Sequence, residues 1–306
     1  EMFTDDNVDI IYITSPHNTH YGFMKKPLEN GKHLFVEKSI TLNSRELDEM
    51  IALAREKNLI LGEAMTIWHM PLYKELWRIV ESGELGKVQI ITINFGSFKE
   101  YNMNNRFFNM NLAGGAMLDI GVYALSVVRS FMSETPTDIL SQWRPSPTGS
   151  DEQATILLKN STGEMATVAL SMHSKQPKRA MISCEKGYIE IMEFPRADKA
   201  VIVDAQSGER REISAGETAN AFLPQEASPA AMLTRFCSAM PTSTNCSGKA
   251  SAKEVRDALP RLSLHSTTTS RSFAAASFNT SHITARFAIL FTQQRLLSGG
   301  QETIRD

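Results

Sequence analysis

The first 65 residues alternate between two kinds of segment, and that alternation limits the folds open to the chain. Asp9-Ile10-Ile11-Tyr12-Ile13-Thr14-Ser15, His33 to Val36 and Leu59 to Ala64 are short apolar runs suited to buried parallel strands. Between the first two lies a helix over His20 to Asn30, stopped by Gly31 as a left-handed cap. Pro27 should kink that helix or shift its start. A second helix opens at Asn43, three residues before Glu46 in capping-box fashion, with Leu47, Met50, Ile51 and Ala54 on one face. Strand, helix, strand, helix, strand in close succession calls for right-handed crossovers in a doubly wound sheet.

Such a unit normally opens with an earlier strand, a glycine-rich turn and a helix that together seat a pyrophosphate. No GxGxxG occurs in this sequence, and nothing before Asp9 supplies the missing strand. Residues 1–65 are therefore expected to be the C-terminal half of a dinucleotide-binding domain whose first half is absent, in keeping with a start at Glu1. From Gly86 the texture becomes β-rich. Strands are expected over Lys87 to Ser97, Thr137 to Trp143, Ala154 to Leu158, Met165 to Ser171, Ala180 to Cys184, Tyr188 to Met192 and Ala200 to Val203. The fold class expected is α/β plus α+β: an incomplete doubly wound (Rossmann-like) parallel sheet followed by an open, mostly antiparallel sheet domain over 66–240. One face of that sheet needs cover, which a helix and a second subunit of a homodimer or higher homo-oligomer would give. Residues 241–306, rich in Ser, Thr and Ala up to Thr284, form a third region of uncertain structure. A disordered tail and a reading-frame error both fit its composition.

A formal net charge of -2 gives no electrostatic case for nucleic acid or an anionic membrane surface. No uninterrupted apolar stretch reaches the roughly 20 residues of a membrane span. Cys184, Cys237 and Cys246 are far apart, without a CxxC, and read as free thiols in a reducing compartment, so a cytoplasmic location is expected.

Two segments carry chemistry: Glu37-Lys38 at a strand end, and Gly114-Gly115-Ala116-Met117-Leu118-Asp119-Ile120-Gly121-Val122-Tyr123. Asp119 and Tyr123, four residues apart on a helix, share a face. Read alone, Lys38 also fits a surface lysine ending a strand and Tyr123 also fits a core tyrosine. Gly114 and Gly115 fit either a hinge or a pair of amides offered to a polar ligand. Arg106 reads as a substrate contact or a solvated loop cation. His69 and Trp68 read as pocket wall or core. His17 and His20, spaced for metal binding, show no evident third ligand, though Asp119 keeps a metal-dependent hydrolase open as a third reading.

Four motifs in order raise the chemical readings. Thr14-Ser15-Pro16-His17-Asn18-Thr19-His20, Gly31-Lys32-His33-Leu34-Phe35-Val36-Glu37-Lys38, Gly83-Glu84-Leu85-Gly86-Lys87-Val88 and Gly114 to Tyr123 resemble landmarks of the Gfo/Idh/MocA family of NAD(P)-dependent oxidoreductases. The resemblance covers about residues 7–240. It implies hydride transfer between NAD or NADP and a small-molecule sugar, polyol or cyclic diol. It also implies cofactor contacts from Ser15, Pro16, His17, His20, Glu37 and Lys38, catalytic roles for Lys38, Tyr123 and Asp119, and substrate contacts from Arg106 and Asp119. Tyrosine at 123 resembles the glucose-fructose oxidoreductase and dihydrodiol dehydrogenase branch, with Lys38 expected to favour the tyrosinate. No metal is implied. Ser39 stands where the family has proline, which is expected to loosen the aim of Lys38, and His17 stands where asparagine is typical. A truncated, inactive relative that keeps a dimerisation or ligand-binding role is the alternative.

Overall fold

Three parallel strands at the start of the chain build the first sheet: β1 (Ile10–Ile13), β2 (His33–Glu37) and β3 (Leu61–Ala64). The structure, a computed structural model, describes residues 2–216 and 287–290. The crossovers are α1 (His20–Glu29) and α2 (Ser44–Glu56). Ile11, Ile13, Leu34 and Val36 are completely buried in the sheet, with Met24, Leu28 and Met50 from the helices packed beside them. Pro27 falls in the last turn of α1, at the cost of the amide bond that position 27 would give to the Phe23 carbonyl, and Gly31 follows the helix at φ 75°. The Asn43 side chain accepts from the Glu46 amide at 3.0 Å; Glu46 reaches back to the Leu42 amide at 3.1 Å.

α3 (Pro71–Glu81), which the sequence reading passed over, then leads into the second domain, with Leu72, Tyr73, Leu76 and Ile79 buried. The remaining strands are β4 (Val88–Gly96), β5 (Asp138–Pro145), β6 (Asp151–Lys159), β7 (Met165–Ser171), β8 (Arg179–Cys184), β9 (Gly187–Met192), β10 (Lys199–Asp204) and β11 (Arg210–Ser214). They form an eight-stranded sheet in the order β11-β10-β9-β8-β4-β7-β6-β5. Only β4 and β7 pair in parallel, so the sheet is mixed and mostly antiparallel as expected. A wide π-type turn over Met117–Gly121 runs into α4 (Val122–Phe131), whose residues Val122 to Val128 are all buried. The segment Met110–Phe131 is long and apolar enough to cross a membrane by composition. Most of it is buried within the molecule, however, which makes it a core helix.

Within the region read as a tail, Phe287–Leu290 forms β12, parallel to β1 on the edge away from β2. Among the described residues the first sheet therefore has four strands, in the order β12-β1-β2-β3. The readings of a disordered tail or a frame error otherwise fall on residues outside those described.

Candidate active site

β1 and β2 run side by side in register from Ile10↔His33 to Ile13↔Val36, so their carboxyl ends, and the loops that follow, lie next to each other. Ligands of doubly wound sheets collect at such ends. The Tyr12 hydroxyl, near the end of β1, donates to the Glu37 carboxylate at the end of β2, whose other oxygen takes the Lys38 amide at 3.3 Å. The chain then turns at Ser39 with φ 55°. A proline, fixed near -65°, could not adopt this conformation. Ser39 donates its hydroxyl to the Leu118 carbonyl at 2.6 Å, a bond from the first domain into the π turn. The serine therefore ties the turn down, contrary to the expected loosening.

From that turn Lys38 reaches Asp119. Its Nζ donates to the Asp119 carbonyl at 2.6 Å and to Oδ1 at 2.7 Å, with both side chains only 12–13% exposed. Arg106 adds a second cation to the same Oδ1 at 3.2 Å while its guanidinium lies over the Phe107 ring. Burial raises the Asp119 carboxyl, but the Lys38 and Arg106 charges and the Lys38 hydrogen bond outweigh it, so the group lies below the usual carboxylate range. The same Nζ stands 5.5 Å from the centre of the Tyr123 ring. Lys38, Asp119 and Tyr123, from two domains, thus meet in one place.

The expected shift of Tyr123 toward phenolate is not met. Burial pushes its phenol up to about 12, Glu37 and Asp119 add to the rise, and the opposing pull comes from Arg196, which hydrogen-bonds the Tyr123 side chain. The physical reason is burial, which disfavours the charged phenolate, while the Lys38 ammonium is itself engaged by Asp119 at 2.7 Å.

The histidines separate. His17 lies at the site edge, its ring pushed below the usual range by burial and by the Lys38 and His20 charges. His20 is fully buried, Nε2 lying 2.8 Å from the Ser15 carbonyl and Nδ1 3.0 Å from that of Ser39. It sits behind the two loops with both ring nitrogens facing their carbonyls, whereas the resemblance implied a cofactor contact. Among the described residues no group of three or more His, Cys, Asp or Glu side chains is placed to hold a metal ion. Ser15 is buried, its hydroxyl accepting from Thr19 at 2.6 Å, and Pro16 starts the short turn that carries His17. Trp68 belongs to the core, 5.2 Å from the Trp77 ring, and is not a pocket wall.

Gly114 and Gly115 give their amides to the Asn109 and Phe107 carbonyls at 2.9 and 3.0 Å, and the Met117 amide goes to Asp151 Oδ2 at 2.6 Å. These amides are closed off from any ligand. Gly115, at φ 136°, lets Asp151 in: a Cβ there would meet Asp151 Oδ1 at 1.9 Å. Tyr12, Glu63, Asp151 and Arg196 join the site only in the folded structure. Glu63 alone left a local signal, a charge inside an apolar strand.

A parallel nucleotide-binding sheet joined to an open mixed sheet, with a lysine, an aspartate and a tyrosine at the junction, defines the two-domain architecture of dinucleotide-linked oxidoreductases. Residues 1–65 match the family model described as an oxidoreductase family with an NAD-binding Rossmann fold, and residues 73–190 match the GFO/IDH/MocA C-terminal domain. The chain belongs to the Gfo/Idh/MocA family. It is 31% identical to a trans-1,2-dihydrobenzene-1,2-diol dehydrogenase of Xenopus laevis over 67% of this chain and 62% of that relative. It is 32% identical to a D-xylose 1-dehydrogenase (NADP(+)) of Hypocrea jecorina over 51% of this chain and 44% of the relative. The chain thus spans less than two thirds of the length of these curated relatives. Among solved structures it resembles a 3-ketoreductase from Actinomadura kijaniata in complex with NADP and TDP-benzene. That match has a TM-score of 0.67 and 20% identity, over 86% of this chain and 78% of the other. An aldose-aldose oxidoreductase from Caulobacter crescentus gives a TM-score of 0.65 at 21% identity, over 78% and 70% of the two chains. These structural likenesses establish the fold.

Proposed function

We propose that this chain carries the substrate side and the nicotinamide end of an NAD(P)-dependent oxidoreductase acting on a sugar, polyol or cyclic diol. The observation that carries the reading is the convergence of Lys38, Asp119 and Tyr123 beside the carboxyl ends of β1 and β2. The residues present fit the nicotinamide end of the cofactor: Glu37, Lys38 and the Ser15–His17 loop stand at those strand ends, and would hold the ring and its ribose. The sequence holds no GxGxxG for the pyrophosphate. When bound, the cofactor supplies the carbon that gives or takes the hydride.

The chain's own residues manage the proton. With its phenol pushed up to about 12, Tyr123 is neutral at physiological pH, which suits donation to a carbonyl oxygen as it becomes an alcohol. The reverse direction needs the phenolate, which the Arg196 hydrogen bond favours. Lys38 Nζ spends two hydrogen bonds on Asp119, leaving one N–H to hold the substrate oxygen and stabilise charge that develops there. Asp119 fixes the ammonium, and Arg106 stands at the rim as a further substrate contact. The names of relatives, a dihydrodiol dehydrogenase and a xylose dehydrogenase, support a vicinal diol or aldose as substrate.

The outer face of the large sheet supports a homodimer. Leu140 (65% exposed) pairs with exposed Leu157, and exposed Ile90 pairs with exposed Met165, giving an apolar surface that a second copy would cover. Titration of NADH and NADPH by nicotinamide fluorescence, followed by turnover assays on aldoses and dihydrodiols, tests the function. Saturable binding with turnover supports it; failure of both cofactors to bind at millimolar concentration refutes it.

A further inference from the structure

Glu63 is unaccounted for by that mechanism. It lies on β3, in register with Val36 of β2, one strand away from the turn that launches Lys38. Its Oε1 accepts the amide of Ile40 at 3.1 Å, and the Ser39 amide also hydrogen-bonds its carboxylate. Among the described residues no cation forms an ion pair with it. Burial pushes its carboxyl up to about 7, against the pull of those two amides and of Lys38.

The turn it touches needs holding. Ser39 has left-handed backbone, which a non-glycine residue keeps only when its surroundings impose it. The Ser39 carbonyl lies 3.0 Å from His20 Nδ1 and the Ser39 hydroxyl donates to the Leu118 carbonyl, so two of the turn's polar groups already have neighbours outside β3. Among the described residues the following amide, that of buried Ile40, is held from β3.

We propose that Glu63 is a positioning residue for Lys38: its carboxylate holds the Ile40 amide and thereby sets the left-handed turn from which the ammonium is aimed at Asp119. Its importance to turnover rests on the oxidoreductase reading, but its effect on Lys38 does not. A glutamine would keep one acceptor oxygen for the Ile40 amide, whereas an alanine would leave both the Ile40 and Ser39 amides bare and free the turn.

The test is trace acylation of the folded chain with acetic anhydride, read lysine by lysine by mass spectrometry, with exposed Lys57 and Lys199 as internal references. In Glu63→Ala the labelling rate of Lys38 rises by about fivefold or more, the effect of losing one net hydrogen bond. In Glu63→Gln it stays near wild type, and the references are unchanged in both. An unchanged Lys38 rate in folded Glu63→Ala overturns the proposal, as does an equal rise in Glu63→Gln. Should Glu63→Ala fail to fold, Glu63→Asp, which withdraws the carboxylate by one methylene, carries the same expectation of a rise and the same refutation. Labelling needs neither cofactor nor substrate. A chain that turns nothing over yet shows the labelling response therefore rejects the oxidoreductase reading while upholding the role of Glu63.

Discussion

Replacing Asp119 by leucine and Lys38 by methionine, singly and together, gives an asymmetric pattern that follows from the contacts around Asp119. Asp119→Leu strands the Lys38 ammonium, 12% exposed, with only a backbone carbonyl to receive it. Removing one partner of a buried pair costs about 3–5 kcal/mol, and the surviving carbonyl bond places this case near the lower figure. Lys38→Met is gentler because Arg106 already lies 3.2 Å from Asp119 and, half exposed, can take over the carboxylate; a cost of about 1–2 kcal/mol is expected. The double variant carries neither buried charge and should lose only about 2 kcal/mol, leaving a coupling of about 2–3 kcal/mol. Urea unfolding followed by circular dichroism measures all four chains. Additive losses, or a costlier Lys38→Met than Asp119→Leu, would refute the geometry.

Three further outcomes are expected. Stability should fall on acidification: the His17 ring is held below its unfolded value near 6.5, so between that pH and its folded value the unfolded chain binds the extra proton. His17→Asn should flatten the slope between pH 6 and 4 by up to about 1.4 kcal/mol per unit in urea titrations, and an unchanged slope contradicts the assignment. Gly115→Ala should destabilise by about 2 kcal/mol or more, since it combines a strained φ with a clash against Asp151; a melting temperature equal to wild type would exclude that contact. Leu140→Glu should convert a dimer to a monomer by light scattering, and a wild-type chain that is already monomeric overturns the sheet-face reading.

Much of the architecture was legible because its signals are local. Met165–Ser171 alternates along its length and follows the Thr162-Gly163 turn, so its strand was read with the right ends. α3 has its own local signal, with Pro71 at its first position and Leu72, Leu76 and Ile79 at helical spacing. Lys38, Asp119 and Tyr123 could be singled out from their motifs, but their electrostatics could not. Nothing in the sequence says that Asp119 neutralises Lys38 or that Arg196 reaches Tyr123. The Ser39 bond to Leu118 spans 79 positions and exists only once the two domains pack. The surroundings of His20 are hidden for the same reason: a histidine facing two backbone carbonyls reads, in sequence, like one facing a ligand.

The most direct measurement follows deuterium from the nicotinamide C4 of labelled NADPH into the carbinol carbon of an aldose or diol product, by mass spectrometry, in wild type and Tyr123→Phe. The account predicts label in the wild-type product and a rate about 10²–10⁴-fold lower in Tyr123→Phe, the span expected for loss of a general acid. Transfer at the wild-type rate without the Tyr123 hydroxyl, or no transfer by a wild-type chain that binds the cofactor, would contradict it.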